Sequence, residues 1–513
     1  MSEKTKNLLP DQTLASKLIS KGFWLYLFAI LGLPLGYFVR VILSNDLTVS
    51  EVGIIYSLIG LMGILSTLST LGISSGAMVY FLPKYIVDSN SDYVTTIYKI
   101  VRYINIGMTA IIGLAFYFFI QYFGTTYIEH PEATAILYIF LGVFLFLNLR
   151  KPIEGIYKTV QNVFVPKFTE FLKQVLISIL VISFFLLGIG DLINYGYAFL
   201  VGGIVSYLIY YLVFRYKYSS QILAGKFIKD QELFKKIIFF GMSALIASNA
   251  MLIIKNIDLQ MLLVIGGAES AGYYTNYMSL MAIVMFFLSP ILGILFPIIS
   301  ELKSKGQMDK LELLQDFLYK YFIVFAFSII FLLGVFGEEI SVILFGEEFL
   351  YSGTLLTYLV IFAVFKLIFT INLAILMGIG EAKKRTNILV AVMILNIILN
   401  ILLIPTLGAL GAGIATGVSW AVIAITSFYF VYQHQKINFD WFFYGKNLLF
   451  LLVVSTIYYL FTKDIFVLEN AYRWENLLYI VLIGVFTYLL MLGLNFKEAK
   501  IFVKELKRFR KSK

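Results

Sequence analysis

From residue 23 to residue 494 the chain repeats long apolar runs. As a helix rising about 1.5 Å per residue, each run can cross roughly 30 Å of hydrocarbon. Hydrocarbon offers backbone amides no partners, so these runs must be helical. Only 14% of the 513 residues are charged and 60% are hydrophobic, where a soluble domain carries about 25% charged residues. Mean hydropathy is +0.90, and no stretch has a soluble domain's charge density. The sequence therefore predicts an all-α polytopic membrane protein.

The runs resolve into about fourteen transmembrane helices. An N-terminal six-helix lobe is expected over 1–214 and a cytoplasmic linker over 215–235. A C-terminal six-helix lobe follows over 236–431, then an additional helix pair over 432–495 and a basic tail over 496–513. Loop charge tests this count, because cytoplasmic loops collect Lys and Arg. Lys17 and Lys21, Lys84 and Arg102, Arg150 and Lys173, Lys226 and Lys236, Lys303 and Lys320, Lys383 and Arg385, and the tail fall on alternate gaps. In all, 35 of the 40 basic residues share that side. The intervening loops carry Asp46, Glu51, Glu129, Glu132, Asp191, Glu269, Glu338, Glu339, Glu347 and Glu348, with only Lys463 and Arg473 intruding. One missed helix would invert every later loop. An even count with both termini cytoplasmic, in a multi-pass protein of the cell membrane, is the expectation.

Several function classes are excluded by what the residues cannot do. There is no cysteine, and His130 and His434 lie far apart, so neither a thiolate site nor a metal constellation is expected. No GxxxxGK[ST] loop is present, so the chain is not expected to hydrolyse ATP itself. With no carboxylate or histidine cluster, no catalytic residues and no cofactor are expected. Met1–Lys21 is polar and basic, which argues against a cleavable leader. The basic tail, with Ile501, Phe502, Leu506 and Phe509 spaced along it, suits an amphipathic cap on anionic inner-leaflet lipid; nothing beside its charges would read bases, so nucleic acid is not an expected partner.

A repeat with a shift of about 219 residues is visible. Ser50-Glu51-Val52-Gly53-Ile54-Ile55-Tyr56 resembles Glu269-Ser270-Ala271-Gly272-Tyr273-Tyr274-Thr275, each opening the second helix of its block. Both copies begin on one membrane side, which makes the repeat parallel rather than inverted. Two such bundles leave a central cleft between them. The bland alternative is chance likeness between apolar helices with Gly-Tyr starts.

Charges inside spans are expensive and therefore informative. Arg40 is late in the first helix. Lys255 and Asp258 are three apart in the seventh, with Asn249 and Asn256 nearby. Lys366 is central in the tenth. Lys255 and Asp258 can simply neutralise each other, and Lys366 can snorkel or pair across helices. The functional reading gives Arg40, Lys255 and Lys366 to a positive, phosphate-attracting lining and Asn249, Asn256 and Asp258 to its polar wall. Glu154 and Glu170, near cytoplasmic loops, suit surface or gate ion pairs and receive no role.

Four passages carry a family resemblance: Leu395-Asn396-Ile397-Ile398-Leu399-Asn400 through Pro405 and Gly408-Ala409-Leu410-Gly411; Asp258 through Gly272-Tyr273-Tyr274; Phe345-Gly346-Glu347-Glu348-Phe349; and Gly378-Ile379-Gly380-Glu381-Ala382-Lys383. In this order, over roughly 16–495, the chain resembles the multidrug/oligosaccharidyl-lipid/polysaccharide exporter superfamily, in its O-antigen flippase-like branch. The resemblance implies two six-helix lobes around a V-shaped cavity that alternates between inward- and outward-open states. It also implies export of a saccharide on a polyisoprenyl mono- or diphosphate, whose phosphate meets cationic cavity residues, a role that Arg40, Lys255 and Lys366 could fill. A lipid-linked saccharide, anionic lipids and glycan-assembly enzymes are the expected partners. The rival expectations are a cation-coupled drug exporter of the same superfamily and a lipid-II-type flippase.

Overall fold

In the computed structural model, residues 14–126, 128, 130–286, 289–434, 440–465, 474–498 and 500 are described. Lys4, Lys6, Glu129, Lys436, Arg473 and the basic tail beyond residue 500 lie outside them. Every regular element among the described residues is helical, and packing divides the chain into two units, Met1–Gly272 and Tyr273–Lys513.

Unit 1 contains α1 (Leu14–Asp46), α2 (Val49–Thr70), α3 (Met78–Val87), α4 (Ser91–Thr126), α5 (Ala133–Thr159), α6 (Phe164–Leu186), α7 (Leu192–Lys217), the short α8 (Ser219–Ile222) and α9 (Gln231–Met261). The start of α10 (Gly267–Phe286) also belongs to it. Unit 2 takes the rest of α10, then α11 (Ser289–Ser304), α12 (Met308–Val335), α13 (Gly337–Phe345), α14 (Leu350–Leu359), α15 (Ala363–Gly378), α16 (Ala382–Tyr432), α17 (Trp441–Ile465) and α18 (Trp474–Leu494). Among the described residues eleven stretches are long and apolar enough to cross a membrane, fewer than the fourteen expected. Part of the difference is continuity. The seventh and eighth expected spans run together as Met251–Met285, and the eleventh and twelfth lie within α16.

A straight α16 of 51 residues would be about 75 Å long, but it folds back on itself. Gly408 leaves the helical region at φ 54°, ψ −128°. A Cβ on Gly411 would sit 2.4 Å from the Leu403 carbonyl oxygen, and His434 Nε2 lies 3.0 Å from Glu381 Oε1. The Pro405–Gly408 passage is thus a tight reversal between two antiparallel helices.

Helix starts follow local chemistry. Thr48 and Glu51 form a capping box at α2, and Asp191 and Asp230 cap α7 and α9, each satisfying amides that a helix start leaves unpaired. The segment before α9 is bonded to the start of α4. Thr95 Oγ1 donates to the Ile222 carbonyl (2.8 Å), Lys226 N–H to Asp92 (2.7 Å) and Ile228 N–H to Thr96 (2.9 Å). Tyr93 OH donates to Asp230 at 3.2 Å. The Leu233 amide, and then that phenol, hold the Asp230 carboxyl below its ordinary value.

Beyond this strap α9 runs antiparallel along α2. At one end Gly72, at φ 67°, lets the α2 chain bend where a Cβ would meet the Gly241 carbonyl at 2.3 Å. Midway, Gly60 faces Asn256 and Gln260. At the far end a Cβ on Gly53 would overlap the Ala268 carbonyl (2.1 Å), and one on Gly272 the Val49 carbonyl (2.0 Å). Val49 and Ala268, like Gly53 and Gly272, are 219 positions apart. This packing carries unit 1 past the 215–235 linker to Gly272.

Candidate functional site

Arg40 sits on α1 with its guanidinium carbon 3.5 Å from the centroid of the Tyr56 ring on α2. A cation over an aromatic face is held by the ring quadrupole, worth about 0.5–2 kcal/mol depending on desolvation. The next residue of α2, Ser57, accepts Gln260 Nε2 on its carbonyl at 2.8 Å, so α2 touches both the Arg40 helix and α9. On α9 the candidate residues part company. Lys255 is exposed, whereas Asp258 is only 1% exposed. Asn256 turns its amide back on the Leu252 carbonyl at 2.8 Å. Asn249 lies on α9, and its side chain is outside the described residues.

Unit 2 holds the remaining candidate. Lys366 on α15 places its ammonium 4.6 Å from the centroid of the Trp420 ring on the second arm of α16. Trp420 is buried, so the cation has a fixed seat in an otherwise apolar segment. Arg40 and Lys366 thus share one device, an aromatic face beneath a cation. The tyrosine and tryptophan that supply it were given no such role in the sequence, since aromatic residues are abundant throughout.

Two further polar constructions were only partly visible in the sequence: ion pairs were expected of Glu154 and Glu170, but neither their partners nor the second construction was. In unit 1, Arg150 of α5 donates to Glu170 of α6 (3.2 Å) and to Ser206 of α7 (2.9 Å), with the Tyr210 ring 5.0 Å away. Lys173 shares Glu170 at 2.9 Å, while Lys151 and Lys158 share Glu154 at 3.7 and 2.9 Å. In unit 2 an amide chain joins three helices: Gln315 Nε2 donates to Tyr319 OH (3.4 Å), Tyr319 OH to Asn372 Oδ1, and Asn372 Nδ2 to Ser427 (3.2 Å). Basic loop residues and lone amides are common in such sequences, and nothing in their spacing shows that they meet.

The model of the polysaccharide biosynthesis protein family matches residues 18–303, more than half of the chain. The chain belongs to that family. Over 458 residues it is 24% identical to an uncharacterized membrane protein of Methanocaldococcus jannaschii, covering 86% of this chain and 89% of the relative. Over 174 residues it is 28% identical to the probable low-salt glycan biosynthesis flippase Agl15 of Haloferax volcanii, covering 33% of this chain and 36% of that protein. Solved structures share the fold. The lipid II flippase MurJ in an inward closed conformation matches with a TM-score of 0.67 at 17% identity, covering 94% of this chain and 99% of MurJ. An inward-facing multidrug resistance MATE family transporter of the MOP superfamily matches at 0.63 and 16% identity, covering 79% and 98%. This member of the polysaccharide biosynthesis family is therefore a multi-pass membrane protein with the fold that MurJ and MATE transporters share.

Proposed function

We propose that this chain flips a polyprenyl-phosphate-linked oligosaccharide across the cell membrane for surface glycan assembly, with both termini cytoplasmic. The observation that carries the reading is the seat of Lys366 on Trp420, in a chain whose family is polysaccharide biosynthesis. An ammonium has three donors, and a ring beneath it fixes its position without taking its charge. That suits a phosphate arriving in a water-poor setting, where a cation acts over distance. Arg40 on Tyr56 repeats the arrangement in unit 1, and exposed Lys255 adds a third cation. In this reading Asn249, Asn256 and Asp258 serve the polar sugar, and the similarity to a glycan biosynthesis flippase favours a glycolipid over a drug.

The test is translocation of a fluorescent polyprenyl-diphosphate sugar by the purified protein in vesicles. Lys366→Ala is expected to lower the rate about tenfold, the loss of one charge-assisted hydrogen bond of about 1.5 kcal/mol, in a protein that still elutes as one species. An unaltered rate in that variant removes the phosphate role. No translocation by the wild type, with lipid II offered as a second substrate and cation-driven drug efflux observed instead, would transfer the assignment to a drug exporter.

A further inference from the structure

The helices α5, α6 and α7 carry seven cations, Arg150, Lys151, Lys158, Lys167, Lys173, Arg215 and Lys217, against two carboxylates, Glu154 and Glu170. All of these stand toward one end of the three helices, the end whose loops are basic. Both carboxylates are already engaged, Glu170 by Arg150 and Lys173 and Glu154 by Lys151 and Lys158. The four cations of this cluster therefore exceed its two carboxylates by two charges.

Depth makes that excess consequential. Arg150 lies nine residues before the end of α5 and Glu170 six residues into α6, about 14 and 9 Å inward from the helix ends. The Arg150 side chain is only 14% exposed. Its Nε is buried and meets no acceptor among the described residues. Uncompensated cations at such depth are costly, and a guanidinium with a spare donor is suited to a tetrahedral oxyanion. We infer that the basic end of α5, α6 and α7 binds the phosphate or diphosphate of a membrane lipid, with Arg150, Lys151 and Lys173 as its donors. Two positive charges in excess match the two charges of a sugar-linked diphosphate and more than offset the single charge of a phosphodiester. Assigning that phosphate to the glycan carrier rests on the function proposed above; the charge argument does not.

The site shares no residue with Lys366 of unit 2 or with Arg40, which stands on Tyr56. A photoactivatable short-chain polyprenyl diphosphate, presented to the full-length protein in phosphatidylcholine nanodiscs, tests it by peptide mapping. Labelling is expected between residues 150 and 173 and should fall about tenfold in the double variant Lys151→Gln/Lys173→Gln, as expected for removing charge-assisted contacts. Should that variant misfold, Lys158→Gln with Lys151→Gln replaces it, and Arg150→Lys, which keeps the charge and loses Nε, should also label less. Suppression of the label by excess phosphatidylglycerol identifies a phospholipid phosphate as the occupant; resistance to it identifies the carrier diphosphate. Equal labelling of wild type and variants, or labelling confined to other helices, overturns the site. Failure of the wild type to translocate any glycolipid, with labelling as expected, would remove the flippase reading and leave this site standing. Normal translocation with no labelling here would do the reverse.

Discussion

In unit 1 the helices α4, α5 and α7 meet through rings; in unit 2 the helices α12, α15 and α16 meet through amides. Tyr98, Tyr157, Tyr210, Phe214 and Tyr218 are all buried in unit 1, with ring centroids 5.4 Å apart for Tyr98–Phe214 and for Tyr157–Tyr210. The Tyr157 hydroxyl donates to the Tyr210 carbonyl at 3.0 Å. Unit 2 instead threads Gln315, Tyr319, Asn372 and Ser427 between α12, α15 and α16. Rings gain their stability from area and dispersion, tolerate loss of a hydroxyl, and suffer when truncated. Amide chains gain little per bond but penalise any break that leaves a buried partner unsatisfied. Two helix triplets of one chain can thus depend on opposite terms.

Four measurements can break or sharpen that contrast. Tyr157→Ala should have the largest effect, about 3–5 kcal/mol from the cavity it opens, seen as early thermal unfolding with proteolysis directed to unit 1. Next is Asn372→Leu, at about 1–3 kcal/mol, because it leaves the buried Tyr319 hydroxyl without its acceptor. Adding Tyr319→Phe to it should restore much of the loss, and a double-mutant cycle that found simple additivity would contradict the amide chain. Smaller again is Tyr157→Phe, about 0.6 kcal/mol as for typical hydrogen bonds inside membranes; a loss as large as that of Tyr157→Ala would show that unit 1 depends on hydrogen bonding after all.

The smallest effect concerns the α16 hairpin. Lys384 and His434 flank Glu381 at 3.2 and 3.0 Å, and hydrogen bonding to Lys384 foremost holds its carboxyl below the ordinary 4.5. A depressed carboxyl stabilises the fold above its ordinary value, and that contribution fades as pH falls through the lower, folded value. Unfolding below pH 4.5 should therefore be slightly steeper for the wild type than for Glu381→Gln. Parallel curves for the two would remove the pair from the hairpin's stability.

Much of this molecule was legible because a membrane leaves the backbone few options. Long apolar runs had to be helices, and Pro405 followed by Gly408 reads as a reversal wherever apolar runs flank it. The likeness of the two Gly-Tyr openings at a shift of about 219 residues was visible. That Gly53 and Gly272 pack in one crossing was not, since proximity between residues so far apart in sequence depends on how α2, α9 and α10 lie together. The candidate cations were found from the cost of charge in a span, which is a property of one helix. Their ring partners, Tyr56 and Trp420, were not, because a cation over a ring needs two helices and one aromatic residue looks like any other.

The Arg150 cluster marks the boundary between the two kinds of knowledge. Alternating loop charge already placed Arg150, Lys151 and Lys173 at one end of their helices, since topology acts on local runs of Lys and Arg. Only tertiary packing decided that Glu170 and Ser206, from two other helices, would converge on Arg150, and that four cations would share two carboxylates. Helical character and helix order follow from local hydropathy and charge along the chain. Which side chains share a charge, a ring or a close backbone crossing follows from how helices distant in sequence meet, and no local pattern encodes that.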